Sequence, residues 1–253
     1  MKFLIRDRYL DKLKALNQTP DIKVITGIRR CGKSVLLEEY AEYLTKTEPD
    51  VNIVMINLQE LDYGEFLRIT EYMMDNVSNL VSPNNISDTF HRDNIGITRK
   101  TVSKYMEYLE HSFLFYEAKR YDLKGKKYLK SNPKYYLCDT AFRYAVNGTR
   151  NMDFGRMYEN IVYIELLRRG YEVYVGKLYK KEVDFVAIRQ TEKLYIQVSD
   201  NISDPSTFER EYSALLAIKD AYPKMILART RHEKYDYEGI AVCDIARWLG
   251  EEA

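Results

Sequence analysis

The segment that most constrains this chain is Gly27-Ile28-Arg29-Arg30-Cys31-Gly32-Lys33-Ser34, which fits the pattern G-x-x-x-x-G-K-[ST]. Residues 22–26, just before it, form a short β-branched run typical of a buried strand, and residues 35–44 after it are apolar at helical spacing. In the order strand, glycine-rich loop and helix, backbone N–H groups and a helix N-terminus can point at one anion. The segment therefore predicts a loop that binds a triphosphate.

Four residues of this loop are candidate ligands of ATP and Mg²⁺: Gly27, Gly32, Lys33 and Ser34. The glycines let the backbone approach the phosphates, the Lys33 ammonium is expected to reach the β- and γ-phosphates, and the Ser34 hydroxyl is expected to hold Mg²⁺. The flanking segments argue against a chance match. An inherited loop that no longer binds nucleotide remains an alternative.

The residues that follow the loop predict weak or absent ATP hydrolysis. Residues 51–58 are apolar enough for a second buried strand, but the alternation of strands and helices stops near residue 66. A hydrolysing domain needs more strand–helix–strand units, of about 30 residues each, and a strand ending in an acidic residue that holds Mg²⁺. Residues 135–139 and 240–244 each end in aspartate, but they fit later modules better.

Residues 67–140 predict a winged helix-turn-helix. Helical patterns cover residues 69–81, 85–92 and a third segment from residue 97, for which Thr98 is a plausible N-cap. Residues 119–136 then alternate as a β-hairpin does. In such a module the third helix can enter the major groove of DNA.

Basic side chains are frequent on this predicted module, which makes DNA a candidate partner. Arg99, Lys100 and Lys104 are expected on the outer face of the third helix. The hairpin carries a second basic set with interleaved tyrosines, namely Lys119, Arg120, Lys124, Lys126, Lys127, Lys130 and Lys134. Phosphates attract such patches. A solvated face on a protein-interaction module is the equally weighted alternative.

The last third, residues 141–253, resembles the PD-(D/E)xK restriction-nuclease fold. A helix with Glu159 and Glu165 is followed by a strand with Glu182-Val183-Asp184 and a strand with Gln197-Val198-Ser199. In that fold a helix Glu, a strand Asp and a Glu-x-Lys pair surround one or two metals, because carboxylates suit Mg²⁺. Gln197 and Ser199 stand where Glu and Lys are needed. The resemblance therefore implies a degenerate site at Glu159, Glu165, Asp184, Gln197 and Ser199, with an active nuclease as the less favoured alternative.

The order of these segments resembles one family over nearly the whole chain: prokaryotic AAA-type ATPases with a C-terminal winged-helix and nuclease-like domain of unknown function. The carrying segments are residues 25–34, 56–58, 125–128, 136–139, 158–166 and 182–185. The resemblance implies ATP binding through residues 27–34. Family members have a long middle section, with the acidic Mg²⁺ strand and a helical lid, that is missing after residue 66 here. We therefore expect three parts: a truncated P-loop segment (1–66), a winged helix (67–140) and a nuclease-like α/β domain (141–253).

Composition limits the location and the partners. The 253 residues carry a net charge of +1, so a nucleic-acid surface must be a local patch. Three cysteines with no metal or disulfide spacing suit a reducing cytoplasm. No apolar run is long enough for a bilayer, so we expect a cytoplasmic protein with no membrane partner. A two-stranded sheet with open edges would favour association with a second copy or another protein chain.

Overall fold

The structure is a computed structural model that describes residues 7–17, 19, 23, 25, 32–48, 51–53, 55, 62–148, 153–179 and 181–251. For residues 130 and 131 it describes the backbone alone. The chain divides into two compact units, residues 1–56 and residues 57–253. The predicted boundary at residues 140 and 141 therefore falls inside the second unit, and the predicted three-part division stays a prediction.

In the first unit the described residues form two helices, α1 (Asp7–Ala15) and α2 (Lys33–Thr47). Leu10 and Leu36 are buried. The Tyr40 hydroxyl donates to the Asn17 side-chain oxygen at 2.6 Å. The predicted strands at 22–26 and 51–58 fall largely outside the described residues. Of these segments residues 23, 25, 51–53 and 55 are described, and these residues are assigned to no strand.

The second unit begins with three helices, α3 (Tyr63–Asp75), α4 (Pro83–Arg92) and α5 (Arg99–His111). The predicted N-cap of α5 is confirmed, because the Thr98 hydroxyl accepts a hydrogen bond from the Thr101 N–H at 3.2 Å. The helix predicted over residues 69–81 ends earlier, at Asp75, because Asn76 turns the chain and Ser78 takes a positive φ of 67°. The three helices share one core with the following hairpin, built around Ile69, Met73, Ile86, Ile97, Val102, Met106, Leu109, Phe115 and Leu137.

The hairpin after α5 is confirmed, and it belongs to a larger sheet. The described strands are β1 (Phe115–Asp122), β2 (Lys127–Leu137), β3 (Glu172–Leu178), β4 (Lys181–Arg189), β5 (Glu192–Ser199), β6 (Lys224–Ala228), β7 (Tyr235–Tyr237) and β8 (Ile240–Asp244). They form one eight-stranded sheet in the order β2-β1-β3-β4-β5-β6-β8-β7. Strand β1 pairs antiparallel with β2 and parallel with β3, so the predicted wing and the last third of the chain share a sheet.

Helices cover both faces of this sheet. The remaining helices are α6 (Ala141–Asn147), α7 (Phe154–Arg168), α8 (Pro205–Leu216) and α9 (Ile245–Gly250). One core joins the sheet to α7 and α9 through Val162, Leu166 and Trp248. A separate core joins it to α8 through Ala214 and Leu215. The helices and strands together form a mixed α/β structure, as the alternation in the last third of the sequence predicts.

Among the described residues, the helices are too short or too polar to cross a bilayer. A cytoplasmic location stays a prediction.

Candidate functional site: a lysine among carboxylates

A cavity of about 870 Å³ opens in the second unit where α7, β4, β5 and α8 meet. Its walls combine acidic, basic and neutral polar side chains. The acidic ones include Glu159, Glu182, Asp184, Asp200 and Glu211; the basic ones are Arg156, Lys181 and Arg210. Because these side chains come from separate parts of the sequence, the sheet is what brings them together.

Lys134 extends from β2 into the acidic wall of this cavity. Its ammonium lies 2.8 Å from a Glu182 oxygen, 3.0 Å from a Glu159 oxygen and 3.9 Å from an Asp184 oxygen. Only 6% of the Lys134 side chain is exposed. A buried ammonium is tolerated when carboxylates pair with it, and three carboxylates do so here.

Glu159 links this lysine to the aromatic core. The carboxylate oxygen that accepts from Lys134 also accepts from the Tyr136 hydroxyl at 2.7 Å. Tyr136 is fully buried and stacks on Tyr163 with ring centroids 4.0 Å apart. The Glu159 side chain is therefore held by two contacts, the ion pair with Lys134 and the hydrogen bond from the buried Tyr136 hydroxyl.

Asp184 and Gln197 join the two neighbouring strands below the lysine. The Val198 N–H donates to the Asp184 carboxylate at 2.8 Å, and the Asp184 N–H donates to the Gln197 side-chain oxygen at 2.7 Å. The Gln197 amide nitrogen donates to Glu211 on α8 at 2.6 Å. Both ends of the Gln197 amide are therefore engaged in hydrogen bonds.

Burial and mutual charge shift the protonation of this cluster. Burial alone would lower the pKa of the Lys134 ammonium, but the Glu159, Asp184 and Glu182 carboxylates outweigh it and raise that pKa. Burial raises the pKa of Asp184 well above its usual value, and the Glu159 charge adds to the rise. Burial also raises the pKa of Glu159, while Lys134 and Tyr136 oppose it. The lysine thus stays charged, whereas full ionisation of both carboxyls is disfavoured.

The structure brings four of the five predicted nuclease-site residues to the cavity and separates the fifth. Glu159, Asp184, Gln197 and Ser199 line it. Glu165 instead pairs with Arg168 at 2.7 Å and Arg169 at 2.6 Å. Because α-helical residues six apart are separated by about 120° around the axis, Glu159 and Glu165 point in different directions. Of the two residues considered for the helix acid, Glu159 lines the cavity, and the inclusion of Glu165 in the site is therefore wrong.

The assignment of Lys134 and Arg120 to an exposed basic surface is also wrong. Both side chains are largely buried, and both pair with Glu182, Arg120 at 3.6 Å and Lys134 at 2.8 Å. The sequence contains a signal for this position: Lys134 lies two residues before Tyr136 in a strand, so both side chains fall on one face. Tyr136 is apolar enough to be expected inside, which places Lys134 inside as well.

The residues of the cavity do not fit the metal that the nuclease resemblance implies. The described residues contain no group of three His, Cys, Asp or Glu side chains arranged to hold a metal ion. The Lys134 ammonium already lies between the carboxylates that would bind it, and the Ser199 hydroxyl donates to the Asn201 carbonyl at 3.2 Å. We therefore derive no metal-dependent step at this cavity.

The two other candidate Mg²⁺ carboxylates have structural partners. Asp139 accepts from the Ala141 N–H at 2.8 Å at the start of α6. Asp244 accepts from the backbone N–H groups of Thr230, Arg231 and Arg247. The hydrogen bond from Arg231 contributes most to lowering the pKa of Asp244. Both carboxylates thus fix local backbone geometry.

The predicted triphosphate loop is described at its C-terminal end, whereas Gly27 lies outside the described residues. Gly32 has a φ of +85°, a left-handed conformation that favours glycine, and α2 begins at the next residue, Lys33. Gly32 offers no capping side chain, and the first turn of α2 carries no acidic residue. The N–H groups of this helix N-terminus, next to Lys33 and Ser34, suit an anion.

The predicted DNA-contacting residues form two exposed groups. Arg99, Lys100 and Lys104 are exposed on α5. Lys124, Lys126 and Lys127 are exposed around the turn between β1 and β2. The Lys124 ammonium lies 4.8 Å from the centre of the Tyr179 ring, and the Lys104 ammonium lies 5.6 Å from that of Tyr108. Such cation–π contacts hold basic heads near the surface without neutralising them.

Comparisons with known proteins match two parts of the chain. Residues 19–90 match an AAA domain, and residues 55–153 match a domain of unknown function, DUF8612. An uncharacterized protein of Haemophilus influenzae is 43% identical over 178 residues, which is 70% of this chain and 44% of that protein. An uncharacterized protein of Methanocaldococcus jannaschii is 26% identical over 218 residues, which is 84% of this chain and 46% of that protein.

The chain spans less than half the length of either of these curated relatives. No solved structure matches it. The AAA match includes the whole loop at residues 27–34, together with the helix that follows it. Residues 19–90 are therefore an AAA-type, P-loop ATPase-like region.

Proposed function

We propose that this protein binds ATP through the loop at residues 27–34 and hydrolyses it weakly or not at all. The observation that carries the proposal is the glycine-to-helix junction inside the AAA-matching region: Gly32 at positive φ, followed at once by Lys33 and Ser34 at the start of α2. Helix N–H groups, an ammonium and a hydroxyl at one helix start are the groups that a Mg²⁺-bound triphosphate needs.

Weak hydrolysis follows from the short chain between this helix and α3. A second acidic strand is needed to hold Mg²⁺ and to orient the attacking water. One further strand–helix–strand unit needs about 30 residues. The segment between α2 and α3, residues 48–62, is shorter than that. Without that strand, the loop at residues 27–34 can position the phosphates but cannot activate the attacking water.

An equilibrium titration with fluorescent ATP in the presence of Mg²⁺ tests the proposal. We expect Lys33→Ala to weaken binding at least about tenfold, because a charge-assisted contact to phosphate is lost. Lys46→Ala is the matched control, since Lys46 lies on the same helix with its side chain 75% exposed and should leave affinity unchanged. Equal affinity of the native and Lys33→Ala proteins would refute nucleotide binding through this loop, and absence of binding by native protein would refute nucleotide binding altogether. Rapid, Lys33-dependent phosphate release would refute weak hydrolysis.

We propose a second candidate function, duplex DNA binding by α5 and the β1–β2 turn. The net charge of +1 provides no global attraction to DNA, so binding would depend on local basic groups. The exposed side chains of Lys126 and Lys127 and of Arg99 and Lys100 form such groups. A basic surface built from a helix and a hairpin is the arrangement a winged helix offers to phosphates.

Salt dependence distinguishes this candidate from a solvated surface. The measurement is the slope of a plot of log Kd against the logarithm of the salt concentration. If both lysines contact phosphates, Lys126→Ala combined with Lys127→Ala should reduce the magnitude of this slope by about 2. The control pair, Lys219→Ala with Lys234→Ala, removes two exposed lysines from outside both elements and should leave the slope unchanged. Absence of binding at low salt, or equal slopes for the two double variants, would exclude DNA contact by the turn.

A further inference from the structure

The acidic wall of the cavity is built around a buried lysine. Glu159 on α7 and Glu182 and Asp184 on β4 supply three carboxyl groups, and the Lys134 ammonium lies within 4 Å of an oxygen of each. Oxygen is the donor type that a divalent ion prefers, but in the native side-chain positions these described carboxyl groups do not form a metal site. The position between their oxygens is occupied by a side chain from a third element, β2.

An ammonium and a metal ion cannot share this position. Divalent cations bind carboxylate oxygens at about 2.0–2.6 Å, and the Lys134 nitrogen lies 2.8 Å and 3.0 Å from the Glu182 and Glu159 oxygens. A metal on the same oxygens would meet a like charge at contact distance in a buried site, where repulsion is strongest. Arg120, 3.6 Å from Glu182, adds a second positive charge on the same side.

The surrounding hydrogen bonds keep the carboxyls in place without a metal. The Asp184 carboxylate is held by the Val198 N–H, and Glu159 by the Tyr136 hydroxyl. Gln197, at the position of a potential third ligand, uses its oxygen for the Asp184 N–H and its nitrogen for Glu211. These hydrogen bonds hold the Glu159 and Asp184 carboxyl groups beside the Lys134 ammonium.

We infer that the Lys134 ammonium is the resident cation of this cavity and stands in for a divalent metal, so that the native chain takes no metal there. Removal of the ammonium takes away the cation that pairs with Glu159 and Asp184, whereas Glu182 keeps Arg120 at 3.6 Å. Lys134→Met, which keeps the length of the side chain and removes the charge, converts the cavity into a site for an Mg²⁺-like ion. This inference is independent of nucleotide binding at residues 27–34.

Mn²⁺ titrations of the whole 253-residue chain without nucleotide test the inference. Binding is read by the loss of the electron paramagnetic resonance signal of the free ion. We expect native protein and Asp184→Asn to give the same isotherm, because the cavity contributes no site. Lys134→Met should bind one additional Mn²⁺ at least tenfold more tightly than the background, and Lys134→Met combined with Asp184→Asn should lose it. Lys127→Met is the control, since Lys127 lies exposed on the same strand and should add no site.

Several outcomes would overturn the inference. One is weaker Mn²⁺ binding by Asp184→Asn than by native protein, because a metal would then bind beside Lys134. Another is a folded Lys134→Met protein without the additional Mn²⁺ site. If Lys134→Met does not fold alone, we expect millimolar Mn²⁺ to restore cooperative unfolding by circular dichroism, and failure to do so would equally refute the role of the ammonium.

Discussion

Asn160 on α7 ties that helix to the backbone of β2, next to the strand residues that carry Lys134. Its side-chain oxygen accepts from the Leu137 N–H at 2.7 Å, and its amide donates to the Leu137 carbonyl at 2.9 Å. Asn160 is 1% exposed, so water cannot replace either bond. Asn160 therefore has a structural role.

We expect Asn160→Ala to lower the free energy of unfolding by about 3 kcal/mol, because two buried backbone groups lose their partners. Asn84→Ala is the control: Asn84 is exposed on α4, and its loss should change stability by less than about 0.5 kcal/mol. Urea denaturation followed by circular dichroism measures both. Equal midpoints for the two variants would show that the Asn160 bonds contribute nothing net.

Glu165 provides a prediction about pH. Hydrogen bonds from Arg168, with a further contribution from Arg169, lower the pKa of the Glu165 carboxyl to about 2. A carboxyl with a depressed folded-state pKa stabilises the protein above its unfolded value of about 4.3 and loses that contribution as the pH falls toward 2. The Arg168 side chain is 63% exposed, so solvent screening reduces the effect.

Glu165→Gln should therefore destabilise the protein by about 1 kcal/mol at pH 7. The difference from native protein should shrink between pH 4.5 and pH 2, because the native carboxyl becomes protonated in that interval. Glu209→Gln, at an exposed position of α8, is the matched control and should show no such trend. Thermal unfolding across this pH range is the measurement, and a difference that persists at pH 2 would contradict the ion-pair explanation.

At the scale of elements, the contact between β3 and β4 depends on a glycine. A Cβ at Gly176 would lie 3.0 Å from side-chain atoms of Val183 and of Val186, and 3.3 Å from the Val183 carbonyl oxygen. The pairing of these strands shifts register next to Gly176, which brings the β4 side chains close to the β3 backbone. A side chain at this position therefore requires Val183 and Val186 to shift by a few tenths of an ångström.

Gly176→Ala should cost about 1–3 kcal/mol of unfolding free energy, the usual effect of overpacking a core. Gly96→Ala is the control, since a Cβ at Gly96 meets no atom within 4 Å and the residue has no positive φ. Chemical denaturation compares the two variants. A Gly176→Ala protein as stable as native would indicate that β4 moves aside without penalty.

Local elements of the second unit are largely predictable from sequence, and their long-range pairing is not. The cap at Thr98, the hairpin and the strand with Glu182 and Asp184 all follow from signals within about ten residues. The parallel pairing of β1 with β3 joins segments separated by α6 and α7, and no local pattern specifies it. The same limit explains the wrong assignment of Lys134 to an exposed surface. Its partners lie 25 or more residues away in the sequence, so its charge alone indicated an exposed position.

At the scale of the molecule, the two compact units carry different parts of the predicted chemistry. The triphosphate loop lies in residues 1–56, and the carboxylate cavity lies in residues 57–253. Short motifs in the sequence predict a triphosphate loop in the first unit and a carboxylate cluster in the second. The alternation with Tyr136 places Lys134 inside but does not name its partners. The role of Glu211 has no sequence signal, since α8 reaches the cavity only through the folded sheet.

Hydrogen exchange on the whole chain tests the first of these sites. A ligand that binds the ordered start of α2 opposes local opening by RT ln(1 + [L]/Kd), which is about 1.4 kcal/mol at ten times Kd. Exchange of amides in the first turns of α2 should therefore slow about tenfold with Mg²⁺-ATP. Lys33→Ala, with binding at least about tenfold weaker, should reduce the slowing to about twofold or less at the same ATP concentration. Lys46→Ala, on the same helix, should retain it. Unchanged exchange of α2 at saturating ATP would place nucleotide elsewhere or exclude it, because a phosphate on these N–H groups must restrict their opening.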